Sequence, residues 1–124
     1  MSAPPLTVRR TATIKEAAKV MLENKVGSLL VVDETGKLEG IITERDILQG
    51  LVNFGEGARV SMFMTENPIT ISPGASVTEA IEMMRSSDIR HLPVIDRAGV
   101  PIGIVSMRDV LAVSSLLMRL FHPS

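Results

Sequence analysis

Apolar positions along the chain follow two spacings, and each spacing predicts one type of element. Around 17–22 and 80–84, apolar side chains recur at the three- and four-residue intervals of a helix face. Mostly apolar runs follow at 28–32 and 92–95, and an Asp-x-x-Gly turn separates each from a second apolar stretch, at 39–43 and 102–106. These runs predict strands, and closing helices are predicted to begin near Glu44 and Met107. With short leading strands at 6–8 and 69–71, each half reads β-α-β-β-α.

The pattern occurs twice because the sequence is duplicated with an offset of 63 positions. Over positions 1–48, 16 residues are identical to the residue 63 positions further on. We therefore predict an α/β (α+β) protein of two tandem repeats, residues 1–59 with a connector and residues 60–124 with an apolar C-terminal helix. A unit of about 60 residues buries little surface alone, so we expect the repeats to pack by a pseudo-twofold axis.

Three stretches need separate predictions. Thr13 and Ser76 each precede a Glu by three residues, which predicts a capping box at the start of both first helices. Residues 49–64 depart from the repeat, contain three glycines, and are predicted to form a flexible connector. Residues 110–121 predict a strongly apolar helix, which either packs into the core of its own chain or forms a dimer interface.

Composition excludes several kinds of chemistry. The 124 residues include no Cys and two His, which excludes disulfides and thiolate catalysis and argues against a multi-histidine metal centre. Thirteen basic and fourteen acidic residues leave a net charge of −1, poor support for nucleic-acid binding. No apolar run is long enough to cross a bilayer, and the first residues do not resemble a signal peptide. We expect a cytoplasmic protein without a nucleic-acid or membrane partner.

The sharpest local features are the two segments GIITERD (40–46) and GIVSMRD (103–109). Each places a hydroxyl residue at a strand end and Arg-Asp in the first turn of the next helix. A helix start with an arginine suits a phosphate, and the aspartate can accept hydrogen bonds from both ribose hydroxyls. The alternative is that the hydroxyls only cap the helices and the aspartates only complement the helix dipole. The residues in question are Thr43, Arg45 and Asp46, and Ser106, Arg108 and Asp109.

In a duplicated frame, these endings together with MTENP (64–68) and IRHLPVID (89–96) resemble the cystathionine-β-synthase (CBS) domain pair, or Bateman module. The resemblance covers essentially the whole chain. It implies two clefts between the repeats for adenosine-containing ligands such as AMP, ADP, ATP or S-adenosylmethionine. In the family the motif aspartate holds the ribose, its hydroxyl residue and the residue before the aspartate meet phosphate, and the adenine wall comes mostly from the other repeat.

Carried over by position, the resemblance implies one cleft with the motif residues Thr43, Arg45 and Asp46, faced by Thr65, Ile69, Ile89, Arg90 and His91. The other cleft would use Ser106, Arg108 and Asp109, faced by Ser2, Leu6, Val26 and Gly27. The first repeat has VGSLL where the second has IRHLP, so it lacks the Arg-His pair and the proline. The cleft built on Asp46 is therefore preferred.

The residue pair Arg90 and His91 has two interpretations. Arg90 is either a surface charge or a phosphate contact, and His91 is either a backbone-bonded histidine or a second phosphate contact. Three arginines near the clefts favour AMP, ADP or ATP over S-adenosylmethionine. The expected function is a non-catalytic regulatory module with an adenine nucleotide as its ligand, no required cofactor, a homodimeric state and a regulated protein that the sequence does not identify. The alternative is a dimerisation module that binds no ligand.

Overall fold

The computed structural model describes residues 5–111 of the chain. The first repeat provides β1 (Thr7–Val8), α1 (Ile14–Asn24), β2 (Ser28–Val32), β3 (Leu38–Thr43) and α2 (Glu44–Asn53). It is followed by a short helix α3 (Val60–Phe63), and then by β4 (Thr65–Glu66), α4 (Val77–Ser86), β5 (His91–Ile95) and β6 (Pro101–Ser106). A further helix, α5, begins at Met107, and its described part is 107–111. The predicted mixed α and β architecture with a β-α-β-β-α pattern is confirmed.

The strands form two sheets, and the first of them contains chain from both repeats. Its order is β1-β2-β3-β4, with β1 parallel to β2 and the other neighbours antiparallel. Arg10 bridges β3 and β4, since its guanidinium lies 3.2 Å from Glu39 and 2.6 Å from Glu66. The second sheet pairs β5 with β6. The strand predicted at 69–71 is reduced to one parallel bridge between Ile71 and Val94.

The duplication is preserved in the backbone as well as in the sequence. Ser28 pairs with Thr43 in the first hairpin, and His91 pairs with Ser106 at the same positions of the second. Both hairpins have an irregularity one residue before the end of their first strand. Gly36 and Gly99, at equivalent turn positions, have φ of 88° and 84°, a conformation that glycine adopts without strain. The offset of 63 therefore relates two copies of one local structure.

Hydroxyl caps start the first helix of each repeat, as predicted, but the predicted capping boxes are incomplete because neither the Glu16 nor the Glu79 side chain bonds back to the N–H of its cap residue. The Thr13 side chain accepts a hydrogen bond from the Glu16 N–H at 3.1 Å, and Ser76 does the same for Glu79 at 3.1 Å. The apolar face of α1 then buries Ala17 and Met21, while that of α4 buries the equivalent pair of side chains. Each helix covers its own sheet, and the buried side chains form two separate hydrophobic cores, the first of which also contains Val60 and Met64.

The stretch predicted as a flexible connector forms part of the first core instead. Ala58 is 8% exposed and Val60 is fully buried, and both pack with Ile14. Backbone hydrogen bonds join Ile14 N–H to the Ala58 carbonyl at 2.7 Å and Val60 N–H to the Ala12 carbonyl at 2.8 Å. The local sequence, with its glycines, gave no sign of these contacts because they depend on residues more than forty positions away.

Contacts between equivalent positions mark a pseudo-twofold axis between the repeats. Ser28 and His91 are 63 positions apart, and Ser28 Oγ lies 3.5 Å from His91 Nδ1. At the opposite end of β3 from Thr43, Leu38 N–H donates to the Gly99 carbonyl at 2.9 Å. The reciprocal bond would have to come from Pro101, which has no N–H, so this contact is made in one direction only.

Two sequence predictions extend past the described residues. The apolar helix predicted for 110–121 starts within α5, where Val110 is buried and Leu111 is 59% exposed, and its remainder lies outside residues 5–111, as does Ser2. Across the described part of the chain, no helix has the length and hydropathy that a membrane span requires.

Candidate functional site

The junction between β3 and α2 is closed by a reciprocal capping box. Thr43 Oγ1 accepts a hydrogen bond from the Asp46 N–H at 3.4 Å, and Asp46 Oδ2 accepts from the Thr43 N–H at 2.9 Å and from its hydroxyl at 3.1 Å. These bonds satisfy orphan groups at the start of α2, a helix of ten residues. The capping alternative for Thr43 is therefore realised in this structure.

The same bonds leave part of the Asp46 carboxylate available. Both bonds that it accepts fall on Oδ2, and Oδ1 accepts none from residues 5–111. A carboxylate offers about four acceptor positions, so capping does not exhaust it. Asp46 is half-buried, and it therefore presents an acceptor at the edge of the junction without having to give up its structural role.

The equivalent junction between β6 and α5 is more open. Ser106 Oγ accepts from the Asp109 N–H at 3.1 Å, which repeats the cap of the first junction. The Asp109 side chain is exposed, and its carboxylate accepts no hydrogen bond from the described residues. The two aspartates thus occupy equivalent positions, but only Asp46 is anchored by its cap.

Arginines surround these junctions. Arg45 and Arg108 follow the two caps at equivalent positions, and Arg90 precedes β5. All three side chains are exposed, and within residues 5–111 none of them lies within 4.0 Å of a carboxylate. Arginine forms bidentate hydrogen bonds to phosphate oxygens, so three such cations near two helix starts suit an anionic ligand.

The residues predicted to face Asp46 include two on the segment that begins with β4 and others next to β5. Thr65 lies in β4 and pairs with Ile41, two residues before the Thr43 cap, so the sheet brings it to this junction. Ile69 is 41% exposed and lies further along the same segment. Ile89 is half-buried and packs against the second core, and its N–H donates to the Met84 carbonyl at 2.9 Å. Part of the Ile89 side chain is thus used in packing within the second repeat.

Three of the residues predicted to face Asp109 in the other cleft, Leu6, Val26 and Gly27, also make structural contacts. Leu6 and Val26 pack against the first core. The Leu6 carbonyl accepts from Leu30 N–H at 3.1 Å, and the Gly27 carbonyl accepts from Glu44 N–H at 3.1 Å. Gly27 also lies against the Glu44 carboxylate, because a Cβ added there would be 3.0 Å from Glu44 Oε1.

His91 lies where the two repeats meet. Its strand pairing places it beside Ser106, and its Nδ1 contacts Ser28 Oγ across the pseudo-twofold axis. Partial burial of the imidazole lowers the pKa of His91, while the carboxylates of Glu44 and Asp109 raise it and Arg90 lowers it further; the net shift is downward. Burial disfavours the charged form, so His91 is mainly neutral at pH 7.

Two residues of this region were not among the sequence predictions. Ser28 is the partner of His91, and the offset of 63 already related the two positions. Glu44 is the first residue of α2, and the charge of its carboxylate raises the pKa of His91 in the other repeat. The equivalent position in the second repeat is Met107, which carries no charge. The signal for Glu44 was its place between the hydroxyl residue and the arginine of the first motif.

Comparison with known proteins identifies relatives over the whole described fold. The family model named CBS domain matches residues 1–53 and 60–116, one match in each repeat. An uncharacterized 17.7 kDa protein of Acidianus ambivalens is 41% identical over 103 residues, which cover 83% of this chain and 63% of that protein. An uncharacterized protein of Methanopyrus kandleri is 36% identical, covering 91% and 59%. The chain thus spans less than two thirds of the length of both relatives.

Solved structures show the same fold with ligands. The CBS domain pair of protein MJ0100, in complex with 5′-methylthioadenosine and S-adenosyl-L-methionine, superposes with a TM-score of 0.87 at 33% identity, covering 93% of this chain and 91% of that one. A CBS domain protein of Pyrobaculum aerophilum complexed with AMP gives a TM-score of 0.82 at 29% identity, covering 88% and 85%. An inosine-5′-monophosphate dehydrogenase of Aquifex aeolicus is 38% identical over 86% of this chain, but over only 22% of the enzyme.

Proposed function

Since the chain belongs to the CBS domain family and carries two of its repeats, we propose that it is a non-catalytic regulatory module that binds an adenosine-containing nucleotide between them. AMP, ADP and ATP are the favoured ligands. The binding residues would be those of the Asp46 junction, with the Asp109 junction as a second, more open site. The cytoplasmic location expected from the sequence stays a prediction.

The observation that carries this proposal is that the two carboxylate oxygens of Asp46 have different surroundings. Oδ2 caps α2 through Thr43, and Oδ1 is left to accept from a ligand hydroxyl. Ribose has two adjacent hydroxyls, and a carboxylate oxygen beside them gains charge-assisted hydrogen bonds. The start of α2 and the exposed guanidinium of Arg45 then favour a phosphate on the same ligand.

The solved relatives support the adenosine part of the ligand. Similar proteins were solved with AMP, S-adenosylmethionine and methylthioadenosine, which share adenosine and differ in the group attached to its 5′ carbon. The preference for a phosphate in this chain comes from Arg45, Arg90 and Arg108, since a sulfonium or a neutral thioether gains nothing from three cations. A ligand held by both repeats would change their relative stability or orientation, and a regulated partner would sense that change.

Thermal unfolding with added ligand tests the proposal. The chain has no Trp or Tyr, so far-ultraviolet circular dichroism is the suitable probe. We expect AMP, ADP or ATP at millimolar concentration to raise Tm, because a ligand at 100 times its Kd stabilises the folded state by about 2.7 kcal/mol. S-adenosylmethionine should raise Tm less. If none of the four changes Tm, the proposal is wrong.

Matched variants locate the site. Asp46→Asn keeps one side-chain oxygen for the cap and removes the charge, so it should abolish most of the ligand-induced rise in Tm. Asp109→Asn makes the same change at the equivalent position and reports the second site. Glu82→Gln removes one charge from an exposed position of α4 and should leave the rise unchanged. Equal responses of Asp46→Asn and Glu82→Gln would remove Asp46 from the site.

One further observation favours the alternative of a homodimerisation module without a ligand. The outer face of α2 and its surroundings expose large apolar side chains, which are typical of an interaction surface. Leu48 is 62% exposed, Val52 83% and Phe54 67%. This alternative expects a dimer by light scattering and no adenine absorbance near 260 nm in the purified protein. A monomer that binds AMP would contradict it.

A further inference from the structure

The surroundings of His91 combine groups from both repeats. Across the axis, its Nδ1 lies 3.5 Å from Ser28 Oγ, and Ser28 pairs with Thr43, the cap of α2. On its own side, His91 pairs with Ser106, the cap of α5. The imidazole is therefore next to the start of α2, where the proposed phosphate would lie, and it is the titratable member of the Ser28–His91 contact between the repeats.

The charges that act on His91 are unevenly distributed. Glu44, the first residue of α2, and Asp109, in the first turn of α5, are negative. Arg90, the residue before His91, is positive. A phosphate that enters beside α2 meets these two carboxylates as well as the arginines. Because like charges repel, the complex needs additional positive charge near Glu44, and a proton on the imidazole supplies it at the position where both repeats meet.

We propose that His91 takes up a proton when a phosphorylated nucleotide binds, and that this protonation makes binding selective for a charged 5′ group. The inference rests on the proposed function and deepens it. In the free protein, partial burial lowers the pKa of His91 and so favours the neutral imidazole. The bound phosphate stabilises the imidazolium, so ligand and proton bind with positive linkage.

The repeat limits how many protons are involved. The position equivalent to His91 is Ser28, which does not titrate near neutral pH. Uptake at this contact therefore cannot exceed one proton per chain, even when both junctions hold a ligand. Between pH 8 and 6.5, affinity for AMP should increase as the pH falls, by no more than about tenfold per pH unit, while affinity for methylthioadenosine, which has no phosphate, should stay constant.

Isothermal titration calorimetry tests this directly. AMP is titrated at pH 7 in two buffers with different ionisation enthalpies, and the difference in heat gives the number of protons taken up. We expect a fraction of one proton for the unmodified chain and for His122→Gln, which removes the other histidine of the sequence. His91→Gln should lose that fraction. Binding of methylthioadenosine should be accompanied by no proton uptake in the unmodified chain or in His91→Gln.

The outcomes separate this inference from the proposed function. Binding of AMP with the same proton uptake in His91→Gln and the unmodified chain would overturn the inference and leave the nucleotide site intact. No binding of either ligand would overturn both. If His91→Gln does not fold, an NMR titration of the histidine Cε1–H signals decides, because saturating AMP must move the His91 midpoint to higher pH.

Discussion

The close approach of β3 and β4 at Gly40 gives the sharpest test of how the repeats are joined. A Cβ added at Gly40 would lie 2.7 Å from the Thr65 carbonyl oxygen and 3.1 Å from Met64 Sδ. The methionine can move, but the carbonyl belongs to β4, which pairs with β3 through Gly40 and Glu66 and through Ile41 and Thr65. Gly40→Ala must therefore push β4 away from its neighbour.

The size of the effect follows from two opposing contributions. Forcing a methyl group into a packed site costs about 1–3 kcal/mol, whereas replacing glycine by alanine gains about 0.4–1 kcal/mol through the unfolded chain. We expect Gly40→Ala to lower the free energy of unfolding by about 1–2 kcal/mol. Urea unfolding followed by circular dichroism at 222 nm measures it.

A matched control is available elsewhere in the chain. A Cβ at Gly57 would meet no atom within 4 Å, so Gly57→Ala should be neutral or slightly stabilising. The reasoning is refuted if Gly40→Ala is as stable as Gly57→Ala, since the β3–β4 contact would then have room for a side chain.

Three further outcomes are expected. Thr43→Ala removes the cap of α2 and should cost about 1 kcal/mol in urea unfolding, whereas an unchanged midpoint would mean that the capping box contributes nothing. Val60→Ala deletes two fully buried methyl groups and should cost about 1.6 kcal/mol or more, which a freely moving connector would not show. The hydrogen bond from the Thr35 hydroxyl lowers the pKa of Asp33 in the folded chain. The ionised Asp33 carboxylate therefore stabilises the fold above pH about 4, and this stabilisation is lost as the pH falls through the lowered pKa. The stability difference between the unmodified chain and Asp33→Asn should therefore shrink between pH 5 and 3, and a constant difference would contradict the assignment.

The local structure of both repeats could be predicted from sequence because each element has its own signal. The cap at Thr13, the cap at Thr43 and the turn at Gly36 depend on residues within four positions, and all three are found where the pattern puts them. The duplication then adds certainty, since the second hairpin has the same register as the first.

Contacts between distant segments could not be predicted in this way. The strand β4 has two exposed residues and no apolar alternation, so nothing local indicates that it pairs with β3. The contact of Ser28 with His91 depends on how two sheets pack, and the hydrophobic pattern does not specify that packing. At the candidate site, the motifs identified Thr43 and Asp46, but the free oxygen of Asp46 became visible only with the hydrogen bonds in place.

The position of β4 also determines what would happen if the repeats were separated. It comes after the connector in the sequence, yet it completes the sheet of the first repeat beside β3. A fragment ending at residue 59 would therefore expose the backbone N–H and carbonyl groups of β3, and unpaired strand edges recruit other chains. The two halves are consequently poor candidates for separate expression, and a cut between them would favour strand exchange or aggregation over two independent monomers.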